Sequence, residues 1–164
     1  MVYNQGANDR VAAIVITQSI ESLWAVKTGK FKNASIKEFV DCCDCSQWNV
    51  SAYDCVAKFG GLAGEDYKSE NNTCASDKYK VELPVSGGRW VEPAGDEQAL
   101  AEAVAKNPIA IGINGSRTSF QTYQSGVYYD PLCSGERLDH AMLVVGYGSM
   151  NGEDYWICQN SWGE

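Results

Sequence analysis

Ala141-Met142-Leu143-Val144-Val145-Gly146-Tyr147 and Tyr155-Trp156-Ile157-Cys158 are two apolar, β-prone runs joined by a turn that holds Asn151-Gly152. Asn-Gly between such runs is a strong hairpin signal, because both residues accept the left-handed backbone that a two-residue turn requires. Positions 140 and 160 are equidistant from residue 150, so antiparallel pairing brings His140 close to Asn160. An imidazole beside an amide oxygen can be held in one tautomer and one orientation, as a general base must be. An isolated His and Asn could equally be two residues that cap strand ends.

Outward from the hairpin, the pattern stays β back to Ile109-Ala110-Ile111-Gly112-Ile113, with Gly126-Val127-Tyr128-Tyr129 as a further expected strand. Tyr123, Tyr128 and Tyr129 read as strand packing rather than a ligand box. Asp96 caps a short helix running to Ala105, and residues 62–95, rich in Gly and Asn with Pro84 and Pro93, read as loops with short strands. The first third is helical. Val11 to Val26 carries Ile14, Ile16, Ile20, Leu23 and Trp24, with Asn8 or Asp9 as N-cap and Gly29 as its stop. Ser35 opens a second helix with Glu38 completing a capping box, and a third runs from Val50 to Phe59 before Gly60-Gly61. These elements make an α+β domain over residues 1–164, with a helical lobe over about 1–82 and a β-rich lobe over about 83–164.

The totals narrow the function. A formal net charge of -8 over 164 residues, with no Lys/Arg cluster longer than two, leaves no basic stripe for phosphates, so nucleic acid is not an expected partner. No apolar run approaches the roughly 18 residues that a membrane span needs. The opening Met1-Val2-Tyr3-Asn4-Gln5 lacks a basic region followed by an apolar core, so no signal peptide is expected within the sequence. Seven cysteines in no regular CxxC pairing, with a single His, argue against a zinc site and for disulfides in an oxidising compartment. No metal or other cofactor is expected. Sequons at Asn33, Asn49, Asn71 and Asn114 agree with a secreted or lumenal glycoprotein. Cys43, Cys55 and Cys158 lie in apolar contexts and read as small buried hydrophobes.

The His and Asn do not stand alone. Leu138-Asp139-His140-Ala141-Met142 through Gly148, followed by Gln159-Asn160-Ser161-Trp162-Gly163, resembles the His and Asn segments of papain-like cysteine peptidases, including the cathepsin L branch. Asn4-Gln5-Gly6 resembles the segment that supplies the oxyanion-hole glutamine, and Glu38-Phe39-Val40-Asp41-Cys42 the helix that ends in a disulfide cysteine. The resemblance implies a two-lobe fold with a helical N-terminal lobe and a β-barrel-like C-terminal lobe, here truncated at both ends. It implies a Cys42–Cys74 disulfide and leaves Cys45 and Cys133 without their usual partners. It places Trp162 over the His–Asn pair, and sets Asp139 and Trp48 along the cleft wall, with Trp48 where relatives hold substrate backbone.

One position departs from the pattern. The family carries a Cys-Gly-Ser/Ala-Cys-aromatic signature at the start of its first helix. Counting forward from Gln5 puts that signature at Asn8-Asp9-Arg10-Val11-Ala12, with Val11 in the nucleophile's place. Valine has no lone pair and no labile proton, so the acyl-enzyme route has no attacking atom. The resemblance then implies a pseudoprotease that binds a peptide or protein or serves in an assembly, in the extracellular space or the lysosomal or endomembrane lumen. The alternative is a cysteine-type endopeptidase that keeps activity through another nucleophile.

Overall fold

Ten consecutive residues, Ala12 to Glu21, are buried in the first helix, α1 (Val11–Thr28). In this computed structural model residues 10–43 and 50–163 are described. A helix buried on every face must be apolar or small on every face. Ala12, Ala13, Ile14, Val15, Ile16 and Ile20 supply that, while Thr17, Gln18, Ser19 and Glu21 go inside with them. The helix stops where expected. Gly29 takes the left-handed conformation at φ 67 and donates its amide to Ala25 O at 2.8 Å. Asn8 and Asp9, the expected N-caps, lie outside the described residues. Arg10 holds the N-cap position without a side-chain bond to the helix.

On one side α1 packs against α2 (Ile36–Cys42), which packs in turn on α3 (Val50–Lys58). Ser35 Oγ accepts the Glu38 amide at 3.0 Å, half of the expected capping box. The other half is missing because the Ser35 amide already donates to Ala63 O at 2.9 Å. Glu38 turns instead to accept the Ala63 amide at 2.6 Å. Ala13, Ile16, Ile20, Phe39, Val56 and Leu62 share one core with Leu83. Leu83 belongs to β2 (Leu83–Pro84), which pairs antiparallel with β1 (Gly61–Leu62), so the helical core reaches past residue 82. The Cys42–Cys74 disulfide forms as the resemblance implied. Cys43 and Cys55, read as small buried hydrophobes, are in fact bonded to each other. Their Cα atoms, at the end of α2 and within α3, lie 6.0 Å apart, inside the span of a disulfide. Cys158 is a half-buried free thiol and Cys133 an exposed one, while Cys45 is outside the described residues.

On its other side α1 packs against β3 (Ile109–Ile113) and β4 (His140–Met150). With β5 (Glu153–Gln159) these form a three-stranded antiparallel sheet in the order β3-β4-β5. The short helices α4 (Glu97–Val104), capped by Asp96 Oδ1 on the Ala99 amide at 3.0 Å, and α5 (Thr118–Gln121) flank β3 in sequence. The expected strand at residues 126–129 is absent. Gly126 takes φ 90, and the segment is held by side chains instead: Tyr123 Oη donates to Gly126 O at 2.6 Å and Tyr128 Oη meets Ser119 Oγ at 2.9 Å. No helix among the described residues is long and apolar enough to cross a membrane.

Candidate functional site

The hairpin turn is Asn151-Gly152, with φ of 55 and 85, and Met150 faces Glu153. That places its centre beyond residue 150, so the register expected from counting is shifted. Gly146 pairs with Ile157, but Val144 pairs with Cys158, which leaves Val145 as one extra residue in β4. Such a bulge matters because side chains alternate between faces, and a slip of one residue moves a side chain to the other face. In the register of the turn, Asn160 would lie opposite Leu143, on the face away from His140. Beyond the bulge Leu143 pairs with Gln159, so continuation puts Asn160 across from Met142, two residues from His140 and on its face. The two side chains then meet diagonally, His140 Nε2 to Asn160 Oδ1, at 2.8 Å. The sequence brought the right pair together through a register that the bulge corrects.

The amide of Ser161 donates to the same Asn160 Oδ1 at 2.8 Å, so that atom is the oxygen and His140 Nε2 carries the proton. A neutral ring in this tautomer has its lone pair on Nδ1, the arrangement of a base with its second nitrogen anchored. His140 is only 7% exposed. The Trp162 ring lies over it with centroids 5.0 Å apart, and Phe120 meets Trp162 edge-on at 5.4 Å. Trp162 itself is 41% exposed, so it covers the imidazole from solvent while remaining at the surface.

Below the imidazole lies Gly115, which the sequence reading did not single out. A Cβ there would come within 2.6 Å of His140 Cβ, a distance no packing relieves without movement. Asp139, expected on the cleft wall, clamps this loop: its Oδ1 accepts the amides of Gly115 at 2.7 Å and Ser116 at 3.2 Å. The Ser116 hydroxyl first, then the two amides and the Arg137 guanidinium, hold the Asp139 carboxyl below the usual aspartate range against its partial desolvation. The only earlier signal for Gly115 was its place two residues after the strand that pairs with His140, through Ile113.

Val11 is the first residue of α1, where the sequence reading began that helix, and is half-buried. Gln5 and Trp48 lie outside the described residues. Of the two free thiols among the described residues, Cys158 is within β5 opposite Val144, with burial pushing its thiol pKa up, and Cys133 is in the loop before β4. A groove of about 700 Å³ runs between α1 and β3, lined by Ile16, Ile20, Trp24, Tyr53 and Trp90, but His140 and Asn160 are not part of it. Among the described residues no cluster of His, Cys, Asp or Glu could hold a metal.

Comparison with known proteins agrees with this geometry. Residues 1–164 match the papain family cysteine proteases. The chain is 38% identical to cysteine proteinase 3 of Dictyostelium discoideum over 173 aligned residues, covering 99% of this chain and 51% of that protein. It is 37% identical to cathepsin S of Bos taurus, covering 97% of this chain and 51% of that one. It thus spans about half the length of these curated relatives. Among solved structures, the bromelain protease from Ananas comosus in complex with the E64 inhibitor superposes with a TM-score of 0.85 at 30% identity, over 99% of this chain and 77% of that one. A recombinant stem bromelain precursor gives 0.86 at 30% identity, over 99% of this chain and 55% of that one. The α+β fold is the one these proteins share, and the chain belongs to the papain family of cysteine proteases.

Proposed function

We propose that this papain-family chain is catalytically inactive, with Val11 in the nucleophile's place, and that it acts by binding a peptide or protein, alone or within an assembly. The observation that carries the reading is an anchored imidazole in a chain whose first helix opens on an aliphatic residue. His140 Nε2 is anchored on Asn160 at 2.8 Å, while the first residue of α1 is an aliphatic valine. Without a sulfur there is no acyl-enzyme, and a water activated by His140 lacks the covalent step. Gln5, as the remaining oxyanion donor, leaves at most residual rate enhancement. Two disulfides in the structure and cathepsin relatives support an extracellular or lumenal location.

Turnover of a broad fluorogenic peptide library decides the matter, read between about pH 5 and 7 with His140→Ala as its partner. Equal background rates for the two proteins are expected. Turnover that His140→Ala abolishes, or stoichiometric labelling of one cysteine by an epoxide thiol trap that needs His140, would overturn the reading.

A further inference from the structure

The sequence offers Asn-X-Ser/Thr at Asn33, Asn49, Asn71 and Asn114, and the fold treats the three described ones differently. Asn33 is half-buried, with its Oδ1 shut from solvent and no hydrogen-bond partner among the described residues. The hydroxyl of its sequon, on Ser35, is only 6% exposed and is engaged as the cap of α2. Between them Ala34 is in the core, its amide on Glu21 Oε1 at 2.8 Å and its backbone bridged to Gly64. A glycan at Asn33 would have to open that bridge. Asn114 is half-buried as well, and its Oδ1 accepts the Ser116 hydroxyl at 3.0 Å. Its neighbour Gly115 is packed against His140 and clamped by Asp139, so a sugar there would press on the site.

Asn71 is the opposite case. Asn71, Asn72 and Thr73 are all exposed. Asn71 and Asn72 take the left-handed backbone at φ 52 and 54, in a turn closed by the Thr73 amide on Glu70 O at 3.0 Å. Asparagine tolerates that backbone better than most residues, so it holds both positions at little strain. The Asn71 amide and the Thr73 hydroxyl make no hydrogen bond among the described residues. The turn is pinned by its neighbours instead, through Lys37 Nζ on Asn72 Oδ1 at 3.2 Å and through the Cys42–Cys74 disulfide. A glycan at Asn71 would extend into solvent and displace nothing.

We infer that Asn71 is an N-glycosylation site of this protein and that Asn33 and Asn114 stay unmodified. The ligand is an oligosaccharide with a reducing-end N-acetylglucosamine, carried on a lipid diphosphate. Asn71 Nδ2 forms the new bond to the anomeric carbon and gives up one proton. The bond from that carbon to the diphosphate oxygen breaks, and the lipid diphosphate leaves with its electron pair. Nothing is oxidised or reduced.

The inference rests on the extracellular or lumenal location proposed above, so the test supplies the compartment itself. The chain, preceded by a cleavable signal sequence, is produced through the secretory route of a eukaryotic cell. Its glycans are removed enzymatically in ¹⁸O water, which leaves labelled aspartate at each occupied asparagine. Label at Asn71 is expected to be at least about tenfold above that at Asn33 and Asn114, with Asn71→Gln and Thr73→Ala each abolishing it. Label at Asn33 or Asn114 with Asn71 bare, or label at none of the three in secreted protein, overturns the assignment. Detection of the protein in secreted or lumenal fractions of its native source tests the location separately.

Discussion

The helical half and the outer end of the β4–β5 hairpin bury apolar side chains to very different degrees. In the first, Phe39, Val56, Leu62 and Leu83 are fully buried around α1, and two disulfides tie α2 to its surroundings. In the second, Val145 is 43% exposed, Tyr147 52%, Met150 48% and Ile157 47%, because β3 pairs only with the first five residues of β4. A ribbon of two strands is marginal in water on its own. His140 and Asn160 lie at the buried end of that ribbon, where β4 touches both β3 and α1. The site is therefore placed by the well-packed region, while the hairpin tip adds little to its support.

The largest effect that this contrast predicts is in stability. Phe39→Ala should cost about 3–5 kcal/mol, since it empties a filled core position. Ile157→Ala, at a half-exposed position, should cost under about 1 kcal/mol. Denaturant titration of the two variants checks both, and comparable losses would mean that the tip is covered and the contrast is false. A smaller cost is expected at the junction. Gly115→Ala forces a Cβ to within 2.6 Å of His140 Cβ, an overpacking worth about 1–3 kcal/mol. It should also release His140 from Asn160, seen as loss of the single Nε2–H tautomer in ring nitrogen spectra. A variant that keeps that tautomer would show that Gly115 does not set the imidazole.

The division between what the sequence revealed and what it hid has a physical basis. Elements written in local chemistry were legible: α1 with Gly29, the Asp96 cap, the Asn151-Gly152 turn. Features that depend on a distant partner were not. Glu38 fitted a capping box, but the Ala63 carbonyl took the amide that Glu38 would have bonded. Cys43 and Cys55 lie on different helices, and only the packing of α2 on α3 brings them together. The bulge at Val145 was marked only by the neighbouring Gly146 and the turn is centred beyond residue 150, so counting from residue 150 found the His140–Asn160 contact but the wrong register. Val11 was read as a departure only because the motifs around it, from Gln5 to Asn160, resemble one family.

Titration gives the two buried glutamates of the helical half and two aspartates of the C-terminal half opposite signs. Burial raises the Glu21 and Glu38 carboxyls above the ordinary glutamate value of 4.5, although each accepts a backbone amide. Stability from such groups is complete below that value and is lost as pH rises through the folded pKa. In the C-terminal half the Ser119 hydroxyl first, then the Leu132 amide and Arg117, hold Asp130 down at about 2, and Asp139 is lowered as well. Their contribution is present above the ordinary value of 3.8 and is lost as pH falls toward the folded value. Within the helical half Asp41, lowered against its desolvation by the Ser69 hydroxyl and Lys37, and Glu82, lowered by Lys32, run the other way. Hydrogen exchange, corrected for its intrinsic pH dependence, should show protection at Ala34 and Ala63 falling as pH rises. Protection at Gly115 and Leu132 should fall as pH drops. The same direction in both sets would break the contrast.

The smallest effect is expected where a simple reading of the site would put the largest. If Val11 were the only departure, Val11→Cys would restore cleavage, because the His140–Asn160 pair is formed and the helix start is in place. No more than a trace is expected. The nucleophile's flanks read Asp9-Arg10 where relatives carry small residues, and Arg10 leaves the first turn of α1 without a side-chain cap. A misplacement of about 1 Å between reacting groups can cost on the order of a hundredfold. The assay is peptide turnover by the variant, with a thiol-blocked sample as control. A rate within about tenfold of the median enzyme value of ~10 s⁻¹ would mean that the cleft had been intact all along. A trace would fit a different reason for the pair's persistence. Gly115, Trp162 and the Val145 bulge fix the imidazole by packing and register, and none of these needs a thiol across from it.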